Sequence, residues 1–225
     1  MKMKKYSIAL VLVVVAGVMS AFAPLPQVNV VSPQAAALTA NETANLLFMI
    51  EEEKMARDLY TAFYGLYTSQ SFQMIASSEQ MHMNELKFLL DNYSIADPTI
   101  GKAAGVFTNA DLQTLYSQLL AQGSVSLTEA LKAGAAVEEI DILDLQSRMA
   151  ETTQSDILAV FSQLELGSEN HLRAFVRQIN NQTGEIYEPS HLSEEEYQRI
   201  ILSANGNGAQ VLRGGQVARG RGRWM

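Results

Sequence analysis

Four pairs of residues, each spaced i, i+3, interrupt long apolar patterns: Glu53/Ala56, Glu79/His82, Glu138/Asp141 and Ser168/His171. On a helix, residues three apart differ by about 60° of rotation and roughly 4.5 Å of rise, so two such side chains can converge on one point. A carboxylate and an imidazole there can share one metal ion, and a carboxylate facing them from a neighbouring helix can bridge to a second. Glu53, Glu79, Glu138 and Asp141 supply four negative charges, which two divalent ions would neutralise. Empty, the group would repel itself, and burying even one unpaired carboxylate costs several kcal/mol. Mixed carboxylate and imidazole donors suit iron, manganese or zinc. Two ions held by bridging carboxylates fit iron foremost, with manganese as the alternative.

Positioning these pairs takes four long amphipathic helices. The first is expected over residues 41–67, with a seam of Leu46, Met49, Glu53, Ala56, Tyr60, Phe63 and Tyr67. The second, over 71–93, has the seam Phe72, Ile75, Glu79, His82, Leu86 and Leu89. The third, over 126–150, runs through Leu127, Leu131, Gly134, Glu138, Asp141 and Leu145. The fourth, over 155–181, runs through Ile157, Phe161, Leu164, Ser168, His171, Phe175 and Ile179, and Gly184 stops it. The alternating 3, 4 spacing is the signature of left-handed bundle packing. A link of a few residues makes the first two helices antiparallel neighbours. Residues 94–125 form a long crossover with its own helix, capped by Thr108 or Asn109 and ended by Gly123. A last short helix starts at Ser193, where Ser193 and Glu196 suggest a capping box. The expected fold is therefore all-α: a ferritin-like antiparallel four-helix bundle, with the helical crossover between its second and third helices and a short C-terminal helix.

Other polar residues admit plainer readings. Glu51, Glu52, Glu85 and Glu139 fall outside the seams and are assigned to solvated faces. Glu53 has Arg57 at i+4 as an alternative partner. Tyr60 lies two turns beyond Glu53 on the same face, and is either a core tyrosine, a hydrogen-bond partner of a ligand, or a redox-active side chain. Gly134 either leaves space beside the site or allows tight helix packing. Asp58, Asp144 and Asn170 are candidates for orienting the imidazoles. Met74, Met81 and Met83 read as packing residues, and His191 as a structural loop residue.

Composition narrows the classes. Cysteine is absent, which excludes disulfides, thiolate metal sites and thiol chemistry. Of the 16 basic residues, Lys2, Lys4, Lys5, Arg213, Arg219, Arg221 and Arg223 lie at the two ends, leaving nine against 24 acidic residues over 6–212, a net charge of −15. Such a body repels nucleic acid and concentrates cations. Residues 1–23 combine three lysines with an apolar run over 8–23, the pattern of an export signal. Pro24 follows Ala21-Phe22-Ala23, so cleavage and an uncleaved membrane anchor both remain open; either places the protein outside the cytoplasm. Residues 24–40 hold three of the five prolines and read as a linker, 41–203 as the bundle, and 204–225 as a disordered Gly/Arg-rich tail.

Over residues 44–202 the chain resembles the ferritin-like di-iron carboxylate superfamily, which includes ferritin, bacterioferritin and rubrerythrin. Glu53 with Tyr60 is similar to its first-helix Glu and the Tyr seven residues on. Glu79-x-x-His82 matches its second-helix Glu-x-x-His, Glu138-x-x-Asp141 resembles the third-helix Glu-x-x-Glu of rubrerythrin, and His171 matches the fourth-helix histidine. The stretches EEEKMARDLY, SEQMHM, EEIDILDL and GSENHLRAF are closer still to an uncharacterised prokaryotic branch, a domain of unknown function. One departure stands out: Ser168 replaces the fourth-helix glutamate. Glu165 and Glu169 lie about 100° or more of helix rotation from His171 and cannot take its place, whereas Asp141 offers a substitute from the third helix.

The resemblance implies a metal set of Glu53, Glu79, His82, Glu138, Asp141 and His171, with Glu138 as the expected bridge and substrate reaching the metals beside Ser168. Three functions fit: an extracytoplasmic oxidoreductase acting on oxygen or peroxide, a non-catalytic metal-binding module, or a structural bundle. A discriminating feature is whether the site takes up metal at all.

Overall fold

Six helices, and no strand, make up the described residues, 37–203 of a computed structural model. The expected export signal, most of the linker and the tail lie outside them. No described helix is long and apolar enough to cross a membrane.

α1 (Ala40–Tyr67) opens with a capping box: Thr39 Oγ1 accepts from Glu42 N at 3.1 Å, and Thr39 N donates to Glu42 Oε2 at 2.8 Å. Thr68, left-handed at φ 51°, and Ser69 alone separate it from α2 (Gln70–Asn92). The crossover then leads to α3 (Ala110–Gly123), capped by Asn109, whose side chain accepts from the amides of Asp111 and Leu112. α4 (Leu127–Met149) is capped by Ser126. α5 (Ser155–Thr183) runs two residues past its expected end, to Gly184 at φ 73°. In α6 (Glu194–Leu202) Ser193 accepts from Glu196 N, but the reciprocal half of the expected box is missing. The Glu196 carboxylate instead accepts from Gln146 at 2.7 Å.

Gly123 was expected to end the crossover helix by its conformation. It sits inside the last turn instead, and a Cβ there would strike the Phe63 ring. Close packing against α1 is therefore its reason.

α1 packs on α2, α2 on α5, α5 on α4 and α4 on α1, closing a ring of four; α3 lies over α1 and α4. The core falls into two apolar clusters. One contains Leu59, Phe63, Phe72, Leu131, Phe175 and Ile179; the other contains Leu46, Met49, Leu86, Leu89, Leu145 and Phe161. α1 and α5 pass from the second cluster to the first, and α2 and α4 from the first to the second, so neighbours in the ring are antiparallel. The polar pairs occupy the layer between the clusters.

The assignment of Glu51, Glu52 and Glu139 to solvated faces is corrected: all three are buried, and of that set only Glu85 is exposed. For Glu51 and Glu139 the reason is that the outer faces of α1 and α4 are covered, whereas Glu52 is buried with neither oxygen bonded. Glu51 accepts from the amides of Thr108 and Asn109 at 2.5 and 3.0 Å, fastening the start of α3. Lys54 donates to Asp58 and to the carbonyls of Ala103 and Val106, and Gly105 N donates to Asp58. Glu139 accepts from Tyr187 Oη and from the amides of Ser190, His191 and Leu192, at 2.6–2.9 Å. These bonds strap the crossover and the 185–192 segment onto the outside of the four-helix ring.

Candidate metal centre

Each ring helix brings its pair to the layer between the clusters. α1 contributes Glu53, α2 Glu79 and His82, α4 Glu138 and Asp141, and α5 Ser168 and His171. All seven are buried. Among the described residues, two groups have ligand atoms that all lie within 4.8 Å of one another: Glu53, Glu79 and His82, and Glu79, Glu138 and His171. Such buried carboxylate and imidazole groups can bind metal ions.

Glu79 belongs to both groups. Its Oε2 is 2.8 Å from His82 Nδ1 and its Oε1 is 2.8 Å from His171 Nδ1. The more distant members are Glu53 Oε2, 3.3 Å from His82 Nδ1, and Glu138 Oε2, 3.4 Å from His171 Nδ1. The two imidazoles are stacked with centroids 5.5 Å apart. Glu138 was expected to be the bridging carboxylate; the position between the histidines is occupied by Glu79, because α2 faces both α1 and α5.

Several of these atoms are close without being bonded. Glu79 Oε1 and His171 Nδ1 have no hydrogen-bond partner, and neither do Glu53 Oε1 and Asp141 Oδ1. The 2.8 Å approach of Glu79 to His171 thus lacks the angles of a hydrogen bond. Buried ligand-type atoms that the protein leaves unbonded are available to a bound cation.

Asp141 is brought alongside the two groups but into neither. Ser168 Oγ donates to Asp141 Oδ2 at 2.5 Å. Ser168 thereby holds the carboxylate of the third ring helix. Tyr60 Oη donates to Glu138 Oε1 at 2.5 Å, so of its expected alternatives the hydrogen bond to a site carboxylate is realised. Arg57 does not pair with Glu53: it bonds Asp58, Gln80 and Met83. Asp58, Asp144 and Asn170 do not orient the imidazoles, being engaged by Lys54, Arg148 and Arg173 respectively.

Residues 42–204, which span all these positions, match the model of the uncharacterized protein domain DUF2202. The chain belongs to this family. It is 43% identical over 171 residues to Uncharacterized protein MJ0754 of Methanocaldococcus jannaschii, covering 76% of this chain and 92% of that protein. The crystal structure of hypothetical protein MJ0754 from Methanococcus jannaschii resembles this fold with a TM-score of 0.72 and 44% identity, over 74% of this chain and 95% of that one.

The charge state of the DUF2202 centre follows from burial and proximity. Burial alone would depress both imidazoles, but Glu53 and Glu79 lift His82 to about 12, and Glu79 and Glu138 lift His171 to about 10. Burial would raise Glu79, yet His171 and His82 hold it well below the usual carboxylate range. Glu53 is pushed up by burial and then by Asp141, and Glu138 by burial and the Glu79 charge against the pull of His171. Asp141 rises to about 7, because burial and the charges of Glu138 and Glu79 outweigh the Ser168 hydrogen bond. The carboxylates around each ring thus favour its charged form, while burial works against charge on Glu53, Glu138 and Asp141.

The sequence reading missed Gly167. A Cβ there would lie 2.6 Å from His82 Nε2, so α5 can approach the ring only with glycine. The available signal was a glycine in a helix interior, where it costs about 1 kcal/mol relative to alanine. Gly134 serves packing, since a Cβ would meet the Phe175 ring at 2.8 Å.

Proposed function

We propose that this DUF2202 chain is a ferritin-like four-helix bundle that holds two divalent metal ions, iron foremost and manganese as the alternative, and reacts with oxygen or peroxide outside the cytoplasm. The observation that carries this reading is Glu79, whose two oxygens each lie 2.8 Å from a different histidine inside two overlapping donor groups. Four buried polar atoms in that layer have no hydrogen-bond partner, a cost that bound cations would remove.

Glu53 and His82 would hold one ion, Glu138 and His171 the other, and Glu79 would bridge them. Asp141, with Oδ1 unbonded, stands ready as a further oxygen donor. When bound, the ions would supply electron chemistry toward oxygen or peroxide. Tyr60 fixes the orientation of Glu138, and Ser168 fixes Asp141. Substrate would approach the centre beside Ser168, and Gly167 lets α5 pack directly against the His82 ring. The apolar run at 8–23 would direct export or anchor the chain in a membrane.

A second reading, a non-catalytic metal-binding or structural core, is favoured by the direct approach of Glu79 on α2 to His171 on α5 at 2.8 Å, an attraction that ties the two helices together. Metal analysis after purification without added metal tests the first reading. The expected result is about two ions per chain, one for each donor group. Less than one ion per chain, with a melting temperature unmoved by iron or manganese, rejects it. Once metal is present, bleaching of the ferrous protein by peroxide with repeated turnover separates an enzyme from a metal store.

A further inference from the structure

The basic end of the chain has no part in the metal reading. Residues 205–225 lie beyond the DUF2202 match. They carry Arg213, Arg219, Arg221 and Arg223, no acid, and Trp224, the sole tryptophan. The point from which they leave the bundle is fixed. Arg173 on α5 donates from Nη1 to the Ile200 carbonyl at 2.9 Å and to Ser203 Oγ at 3.0 Å, clamping the end of α6.

Beside the start of α6 lies a cleft of about 520 Å³, walled by Ile186, Tyr187, Glu188, Leu192, Glu194 and Tyr197. Its aromatic wall is held from behind: Tyr187 Oη donates to Glu139 and Tyr197 Oη to the Tyr187 carbonyl. Ile186 stands 78% exposed at its rim. Glu188, Glu194 and the adjoining Glu195 are exposed, and among the described residues no base pairs with them. Arg199 on α6 is engaged by Glu169 and Glu196, and Lys132 on α4 by Glu129 and Glu185. The other cleft against the 185–191 stretch includes Lys132 in its wall and so suits a cationic occupant less.

We propose that residues 213–225 fold back along α6 and occupy the cleft between α6 and the 186–192 segment. The arginines meet Glu188, Glu194 and Glu195, and Trp224 covers Ile186. The reach is sufficient. Ten residues take the chain from Ser203 to Arg213, up to about 33 Å, whereas α6 with its nine residues is about 13 Å long. The charges are complementary, since the segment holds only bases and the cleft only acids. Guanidinium groups also match carboxylates and aromatic faces in shape. The inference does not rest on the metal reading.

Trp224 is its own reporter. Its emission in the full chain, excited beyond the tyrosine band, is read with acrylamide as quencher. At low salt it should be shielded. At about 1 M salt, where screening acts within about 3 Å, quenching should rise toward that of a free tryptophan amide. An exposed ion pair shifts an equilibrium by a factor of about 1.4–5. Arg219→Gln, Arg221→Gln and Arg223→Gln together should therefore weaken docking about three- to a hundredfold, and Glu188→Gln with Glu194→Gln about two- to twenty-fivefold. A Trp224 quenched as freely at low salt as at high salt overturns the docking. Shielding lost in the arginine variant but kept in the glutamate variant overturns the cleft as the docking surface. Shielding that grows with protein concentration puts the segment in the cleft of a second copy and overturns the fold-back within one chain. Should Glu194→Gln disturb α6, as read by circular dichroism, Glu188→Gln alone decides the cleft.

Discussion

Glu79 and Glu139 both sit in mid-helix and are at most 1% exposed, yet they stand in opposite surroundings. Glu139 accepts hydrogen bonds from a tyrosine hydroxyl and three backbone amides. Glu79 faces two imidazoles, with Oε1 making no hydrogen bond at all. The first is a staple: its lone pairs are filled by the segment it holds, and it needs nothing further. The second keeps a lone pair that no protein group fills, which the proposed function assigns to a metal ion. Burial of an acid therefore does not mark a metal ligand. The marker is burial with lone pairs that the protein leaves open.

Glu79→Ala should break this comparison most strongly. Both donor groups lose a member, so both ions should go, and the stabilisation by metal should vanish with them. At a thousandfold excess over its Kd each bound ion contributes about 4 kcal/mol. Melting curves with iron or manganese and with chelator should differ in the unmodified protein and coincide in this variant. A shift retained by Glu79→Ala would remove Glu79 from the bridging role.

Glu139→Ala should come next, at about 3 kcal/mol, because it removes the acceptor of the buried Tyr187 hydroxyl and Leu192 amide and of the half-buried bonds from Ser190 and His191. Unlike the Glu79 effect, this loss should be the same with metal or with chelator. Urea denaturation under both conditions checks it. A metal-dependent loss would mean that the staple and the centre are coupled through α4, and the contrast between them would fail.

A smaller change sharpens the contrast within the centre. Gly167→Ala should cost about 1–3 kcal/mol by overpacking against His82. Its specific signature is loss of metal from the Glu53/His82 half, with the Glu138/His171 half retained. Titration of metal per chain, read beside the melting temperature, separates ring displacement from general destabilisation. Equal loss from both halves would count against the assignment of His82 to one ion.

The sequence pattern was informative about rows and poor about rotation. Seam residues at 3, 4 spacing located the long helices to within two residues, because apolar periodicity and terminal signals such as Ser126, Ser155 and Gly184 act locally. It also put Glu53, Glu79, His82, Glu138 and His171 in one layer. Which carboxylate lies between the histidines depends on how α2 faces α1 and α5, and spacing along one helix carries no such information. Glu51 and Glu139 were misassigned for a related reason. Their helices look two-faced in isolation, but the crossover and the 185–192 segment cover the second face. The capping box was legible and overlooked: Thr39 and Glu42 have the spacing just as Ser193 and Glu196 do, and only tertiary contact with Gln146 decides between them.

Glu42 offers the mildest test, a carboxylate satisfied at a helix start rather than in the core. The Thr152 hydroxyl donates to its Oε1 at 2.6 Å, while the amide and hydroxyl of Thr39 donate to its Oε2. The Thr152 bond is the largest of the influences that hold this carboxyl below its ordinary 4.5, burial acting the other way. A group with a depressed folded pKa stabilises above its unfolded pKa and loses that contribution as pH falls through the folded value. Thr152→Val should therefore cost about 1 kcal/mol at neutral pH, and the difference from the unmodified protein should shrink once the solution is acidified below 4.5. Denaturation of both chains across that range, with chelator present to silence the metal centre, reads the effect. A gap that stays constant into acid would show that Thr152 contributes packing at the α4–α5 link rather than a bond to ionised Glu42, and the staple class would then lose its weakest member.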